Sequence, residues 1–164
     1  MSEQPCDAEF ELHIRRAKKD DIQKIIELFN DGAPEGASVR VAPDELRLGY
    51  VEAFERIDAD PKQHLMVAEV CNEVIGTFQM TFLTFLAGAG LDDCQIESVH
   101  VARRWRTRGI GTRMIEWAID EAKKHGCRRV QLTTDKRRVA AHRFYERFGF
   151  ELSHEGAKLW LASR

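Results

Sequence analysis

No stretch of the chain approaches the roughly 18 consecutive apolar residues of a membrane-spanning helix, so that class of protein is set aside. Cysteine is scarce, and Cys6, Cys71, Cys94 and Cys127 stand far apart without a CxxC pair. Such spacing argues against a disulfide framework or a zinc site; it reads as reduced, isolated thiols in a cytoplasmic protein. The opening MSEQPCDAEFELHI is acidic and polar, unlike a signal or transit peptide. Internal repeats, low-complexity tracts and dividing linkers are also lacking. At 164 residues and 18.8 kDa, a single domain over 1–164 is expected, with 1–8 as a flexible tail and a core large enough to need no disulfide.

Net charge is nearly absent too, at −2, but the balance hides an asymmetry. Met1 to Glu97 carries 9 Lys+Arg against 20 Asp+Glu, and Ser98 to Arg164 carries 16 against 7. The positive half calls for an anionic partner or a solvated surface, and the placement of its arginines favours a phosphate-bearing ligand.

Phe10 to Arg15 alternates apolar and polar residues as a strand does. Asp20 or Asp21 can cap a helix whose face carries Ile22, Ile25, Ile26, Leu28 and Phe29. Asp31 to Ala42 reads as a loop, and Pro43-Asp44-Glu45 opens a second helix running to Ile57. Leu65 to Val70 and Val74 to Phe85 are strands joined by a tight turn at Cys71-Asn72-Glu73. After a link at Ala87 to Asp93, Gln95 to Val101 is another strand. An arginine-rich turn then leads into a helix from Gly109 to His125, with Ile110, Met114, Ala118 and Ala122 on one face and Gly126 ending it. Arg129 to Thr133 is a strand and Val139 to Phe148 a helix; Phe150 to Ser153 and Ala157 to Leu161 form a closing hairpin. The order β-α-α-β-β-β-α-β-α-β-β predicts an α/β sheet of mixed strand direction.

Chemistry concentrates at Arg106-Thr107-Arg108-Gly109-Ile110-Gly111, between a strand and a helix. Two glycines let the backbone approach a ligand closely. Unpartnered first-turn amides and the positive end of the helix dipole suit a pyrophosphate, with Arg104, Arg106, Arg108 and Arg113 around it. A third glycine at GxGxxG spacing is lacking, as is a following GKS or GKT, which argues against the dinucleotide and P-loop versions.

Arg106-x-x-Gly109-x-Gly111 resembles the Q/R-x-x-G-x-G/A acyl-CoA motif of the GNAT superfamily of N-acetyltransferases. Ala141 to Phe150 is similar to that family's A-x-x-F-Y-E-x-x-G-F stretch, and Val74-Ile75-Gly76 resembles its strand after a tight turn. The resemblance covers Leu65 to Leu161; the first 60 residues agree only in element order. It implies a central, mostly antiparallel mixed sheet flanked by helices, acetyl-CoA as co-substrate and an amine acceptor; no metal is expected, since no His/Cys/Asp grouping has metal spacing. It places the CoA pyrophosphate on the amides of Arg106, Thr107, Arg108, Gly109, Ile110, Gly111 and Thr112. The pantetheine arm would pair with the backbone of Val99, His100 and Val101, in a splay between that strand and Arg129–Thr133, and the Val99 amide would polarise the thioester carbonyl. Where many members have a pantetheine-contacting Asn, this chain has Arg138, and Lys136, Arg137 and Arg138 are candidates for a CoA phosphate instead.

Acetyl transfer needs a neutral amine, hence a base, and the leaving thiolate benefits from an acid. Glu97 is the expected base, directly or through water. Plain alternation puts it on one face with Val99 and Val101, and leaves Ser98 and His100 on the other. Tyr145, by resemblance, is the acid that protonates the CoA sulfur. His154 in the closing hairpin is a weaker candidate for the rim of the acceptor pocket. Direct attack in a ternary complex on behalf of a small-molecule acceptor is the primary expectation; Asp31, Glu35, Asp44 and Glu45 would suit a cationic one. Transfer to a protein lysine or N-terminus, or a non-catalytic acyl-CoA sensor, are the alternatives. A nucleic-acid binder is disfavoured, since the basic groups gather at a glycine turn and no aromatic-studded basic strand is present. A homodimer is expected at family level.

Overall fold

The computed structural model describes residues 10–31, 44–159 and 161, and of residues 44–47 only the backbone. The expected tail at 1–8, Cys6, and the expected loop beyond Asp31 with its Glu35 lie outside the described residues. Five strands, β1 (His13–Arg16), β2 (Gln63–Val70), β3 (Glu73–Thr84), β4 (Asp92–Val101) and β5 (Arg129–Leu132), form one sheet in that spatial order. Neighbours run antiparallel except β4 and β5, which are parallel. Among the described residues four α-helices flank it: α1 (Ile22–Asp31), α2 (Asp44–Ala59), α3 (Ile110–Lys124) and α4 (Val139–Glu146). The α/β class and the mixed, mostly antiparallel sheet are as the sequence implied.

The central strands read as near-continuous apolar runs because both sheet faces are covered. On one face Val67 and Val74 meet Ile22, Ile25, Ile26 and Leu28 of α1 and Phe54 of α2. On the other, Met66, Ala68, Phe78, Met80 and Ile96 meet Ile110, Met114, Ile115 and Ala118 of α3. The β2–β3 turn is tight because Cys71 and Asn72 both take positive φ, 49° and 62°, the twist a two-residue hairpin requires. α3 stops where expected. Gly126, at φ 72°, donates to Lys123 O, and the Cys127 amide donates back to Ala122 O, which satisfies carbonyls of the last turn.

Some boundaries differ from expectation. Phe10 precedes β1 and sets its ring edge-on to Trp105 at 5.3 Å. β4 begins at Asp92 rather than Gln95. There Asp93 is buried within the sheet, and its carboxylate accepts from Arg128 Nε at 2.8 Å and Arg129 Nε at 2.9 Å, holding the start of β5 alongside. The expected closing hairpin is not formed among the described residues: 151–159 are exposed and outside any strand. Leu152, Leu159 and Leu161 are 61%, 85% and 92% exposed. A hairpin with so few apolar residues buries too little to order itself without a sheet to join.

Candidate active site

β4 and β5 pair only from Asp93–Arg129 to Ile96–Leu132. Past that rung the two strands share no further pairing, and the β5-facing edge of 97–101 has no ladder partner among the described residues. Backbone amides and carbonyls are obligatory hydrogen-bonding groups, and on this edge Val101 O is met by Arg106 Nε at 3.0 Å rather than by a strand. Two residues beyond β5, Thr134 Oγ1 is buried without a hydrogen-bond partner among the described residues.

The turn that follows β4 is anchored by the Ala102 amide donating to Ile75 O at 2.8 Å and by the buried ring of Trp105. Thr107 and Gly109 take φ of 63° and 78°, a left-handed geometry that Gly109 adopts without strain. The first ladder bond of α3 is Arg113 N–H to Gly109 O, so the amides of Ile110, Gly111 and Thr112 precede the ladder at the positive end of the helix. Phe144 of α4 and Val101 of β4 both come within 4 Å of where a Cβ on Gly111 would stand, so the turn, the open strand edge and α4 converge there.

The arginines of this turn are largely engaged elsewhere. Arg106 donates from Nε to Val101 O at 3.0 Å and from Nη2 to Asp31 O at 2.9 Å. Arg104 pairs with Glu73. Arg108 lies over the Trp105 ring at 5.4 Å and Arg113 over Phe10 at 6.0 Å. Of the basic run before α4, Lys136 pairs with Glu155 at 2.8 Å and Arg137 with Asp135 at 2.7 Å, both at the solvent-exposed surface. The charge of Arg138 acts on both Tyr145 and His100, opposing the rise that burial gives the phenol and adding to the fall that burial gives the imidazole. Tyr145 is half-buried, its ring edge-on to Phe144 and Phe150, and burial raises its phenol pKa against that pull.

One expectation about β4 is corrected. Thr77 pairs with His100 and Gln79 with Glu97, so Phe78 opposes two residues, Ser98 and Val99. The extra residue is a β-bulge, and Ser98 takes φ 53° to make it. Alternation therefore breaks at Ser98. Val99 and Val101 pack with the α3-side core beside Ile96. Glu97 lies on the α1–α2 face, opposite Gln79 and in line with Leu65. His100 joins Glu97 on that face, with its ring edge-on to Phe29 of α1 at 5.1 Å. Glu97 and His100 are consecutive positions of one face, about 7 Å apart along the strand, whereas Glu97 and the two valines are not. Glu97 is exposed and has no ion-pair partner among the described residues. Burial lowers the pKa of His100, helped by the charges of Arg138 and Arg106 and opposed by Asp31.

His154 lies in the exposed segment after α4, its Nδ1 2.8 Å from Ser153 Oγ. Cys94 is buried and its thiol is pushed up to about 12 by burial, which leaves it inert as a nucleophile. The described residues contain no group of three or more His, Cys, Asp or Glu suited to a metal, and no helix among them is long and apolar enough to cross a membrane. The bulge and Thr134 escaped the sequence reading. Neither residue type is unusual, and a positive φ at serine has no periodic signature.

The model of the acetyltransferase (GNAT) family matches residues 22–150. The chain belongs to that family. It is an acetyl-CoA-dependent N-acetyltransferase. Across 147 residues it is 29% identical to the aminoalkylphosphonate N-acetyltransferase of Salmonella typhimurium, over 86% of this chain and 95% of that protein. A crystal structure described as a transcriptional regulator from Bacillus halodurans superposes with a TM-score of 0.84 at 36% identity, over 92% of this chain and 100% of that one. Glucosamine-6-phosphate N-acetyltransferase from Arabidopsis thaliana shares the fold, with a TM-score of 0.75 at 22% identity over 93% of this chain and 99% of that one. For a GNAT protein the residues present fit the co-substrate: they include an open strand edge at 97–101, an orphaned Thr134 hydroxyl, and amides at the start of α3 that precede its ladder.

Proposed function

We propose that this N-acetyltransferase acetylates the primary amine of a small molecule by direct attack within a ternary complex. The observation that carries the reading is the separation of β4 from β5 beyond Ile96–Leu132, with Glu97 on one side of β4 and the amides of α3 beyond its end. Acetyl-CoA supplies an activated acyl group as a thioester. The amides of Gly109, Ile110, Gly111 and Thr112 hold its pyrophosphate, and the backbone of Val99, His100 and Val101 pairs with its pantetheine arm. An amide beside the bulge, that of Val99, is aimed at the developing oxyanion.

Glu97 draws the ammonium form of the acceptor by charge and assists its deprotonation, directly or through water. Tyr145, a phenol kept neutral by burial, returns a proton to the departing thiolate. Because Arg106 is tied to Val101 and Asp31, its side chain is assigned to framing the turn, and Arg138 to the reaction end of the cofactor. The relative named for aminoalkylphosphonates makes short amines bearing an anionic group the first acceptors to try, followed by polyamines and aminoglycosides. A second reading, an acyl-CoA sensor without turnover, is favoured only by the 36% identical structure described as a transcriptional regulator.

Thiol release from acetyl-CoA, measured against a panel of amines and peptides for wild type, Glu97→Gln and Tyr145→Phe, separates these readings. Amine-dependent release that falls at least about tenfold in either variant supports the assignment. Tight acetyl-CoA binding without release for any acceptor supports the sensor. Failure to bind acetyl-CoA sinks both.

A further inference from the structure

We infer that His100 is a catalytic residue of this site: its imidazole takes the proton from the acceptor amine, while the neighbouring Glu97 carboxylate holds the ammonium by charge. The inference rests on the acyltransfer reading above and goes beyond it, because the bulge at Ser98 changes which side chains meet. Plain alternation would send His100 to the α3 face, behind the sheet from Glu97. With Phe78 opposing both Ser98 and Val99, His100 turns to the face that carries Glu97, one position further toward the end of the strand. That position lies in the stretch of β4 that has no β5 partner.

The surroundings of the ring suit a proton acceptor. Phe29 packs edge-on against it from α1, and Thr77 lies opposite on β3, with its hydroxyl donated to Met66 O rather than to the imidazole. The charges that act on it are Arg138 from the start of α4, Arg106 from the turn and Asp31 from the end of α1, and Glu97 shares its face of β4. The two cations and burial outweigh Asp31 and hold the ring neutral near pH 7, with a lone pair to offer. Proton transfer from an alkylammonium, near pKa 10, is uphill by about 6 units to an ordinary carboxylate but about 4 to an ordinary imidazole, and the lowered pKa of His100 widens the second gap, so its advantage as acceptor is at most roughly 100-fold. The carboxylate is the better anchor, since it carries the full negative charge.

The step balances without an added reactant. The ammonium N–H bond breaks and its proton goes to the imidazole lone pair. The freed amine nitrogen forms a C–N bond to the thioester carbonyl carbon, and the C–S bond breaks with its electron pair leaving on the CoA sulfur. The nitrogen's second proton accounts for the thiolate's protonation, by way of Tyr145, and the imidazolium releases its proton to solvent.

The experiment is the pH profile of kcat/KM for the acceptor in wild type, His100→Gln and His100→Ala, with the acetyl-CoA dissociation constant and thermal unfolding of each protein recorded alongside. Wild type is expected to show an acid limb below the ordinary histidine range. His100→Gln is expected to lose that limb, and kcat with it by about 100-fold, while acetyl-CoA affinity stays within about twofold. His100→Ala, with space left against Phe29, is expected to regain activity with added imidazole. A His100→Gln enzyme that keeps wild-type kcat and the wild-type limb overturns the role of His100 and leaves acetyl transfer standing. If the variants are damaged in acetyl-CoA binding, absence of imidazole rescue likewise overturns it. Wild type that binds acetyl-CoA yet acetylates no amine strikes the underlying reading instead.

Discussion

Arg106, the first residue of the glycine-bearing motif, donates from Nε to the carbonyl of Val101 at 3.0 Å, five residues back on β4. Its Nη2 reaches the carbonyl of Asp31 at the end of α1. The side chain that the motif would assign to a phosphate thus joins the end of the open strand to α1.

Arg106→Met is therefore expected to lower unfolding stability by about 1 kcal/mol or less, since both partners are partly in water. Its effect on acetyl-CoA affinity should be smaller than about tenfold. Urea denaturation and calorimetric titration read the two quantities. A large loss of affinity with unchanged stability would assign the guanidinium to the cofactor after all.

Ser98 holds a left-handed conformation that β-branched residues strongly resist. Ser98→Gly should be neutral or stabilising by up to about 1 kcal/mol, with activity retained. Ser98→Val should cost about 1–3 kcal/mol, and any surviving fold should lose activity as the bulge shifts and His100 leaves the Glu97 face. Thermal unfolding beside thiol release distinguishes the two substitutions.

Gly76 sits where β3, β4 and α3 come closest: a Cβ there would stand 2.9 Å from Met114 Sδ and 3.2 Å from His100 O. The methionine can move and the backbone carbonyl cannot. Gly76→Ala is expected to destabilise by about 1–3 kcal/mol, measured by chemical denaturation.

Asp93 is fully buried, and its pKa is lowered first by the hydrogen bond from Arg128, then by the charges of Arg128 and Arg129, against the opposing cost of burial. A depressed carboxylate stabilises the fold above its unfolded pKa and loses that contribution as pH falls through its folded one. This part of the stability should be complete above pH 3.8 and fall away below it. Asp93→Asn should cost about 3 kcal/mol at neutral pH and weaken the β4–β5 junction, as read by denaturation and by amide exchange in β5.

His64 stands on β2 with its ring 5.5 Å from that of His125, which stacks on Phe82 at 4.3 Å. Burial, then the charge of Arg16, lowers the pKa of His64 below 6.5, with His125 adding to the shift. The neutral form is favoured in the folded state, so its contribution is complete above pH 6.5 and falls away as pH drops toward the folded value. The unfolding midpoint should decline between about pH 7 and 5, and His64→Gln should flatten that decline.

Much of the fold was legible because its signals are local. The 3.6-residue spacing of Ile22, Ile25, Ile26 in α1 and of Ile110, Met114, Ala118, Ala122 in α3 marks the buried faces seen in the structure. Asn72 marks the β2–β3 turn and Gly126 the end of α3, each by its ease in left-handed backbone. The closing hairpin misled for the same reason: alternation alone cannot say whether a sheet edge will receive the strand.

The sequence by itself determined the class of the fold, the order of its elements as far as α4 and the strand–turn–helix that leaves amides free, since each depends on residues within a few positions of one another. Only the tertiary structure decided which side chains of β4 share the α1–α2 face. Glu97 and His100 share a face because Phe78, on the neighbouring strand, pairs across two residues of β4. Arg106 points back to β4 because Asp31, 75 residues earlier, comes to meet it. Registers between strands and partners across such distances are set by the packing of whole elements, and no local period records them.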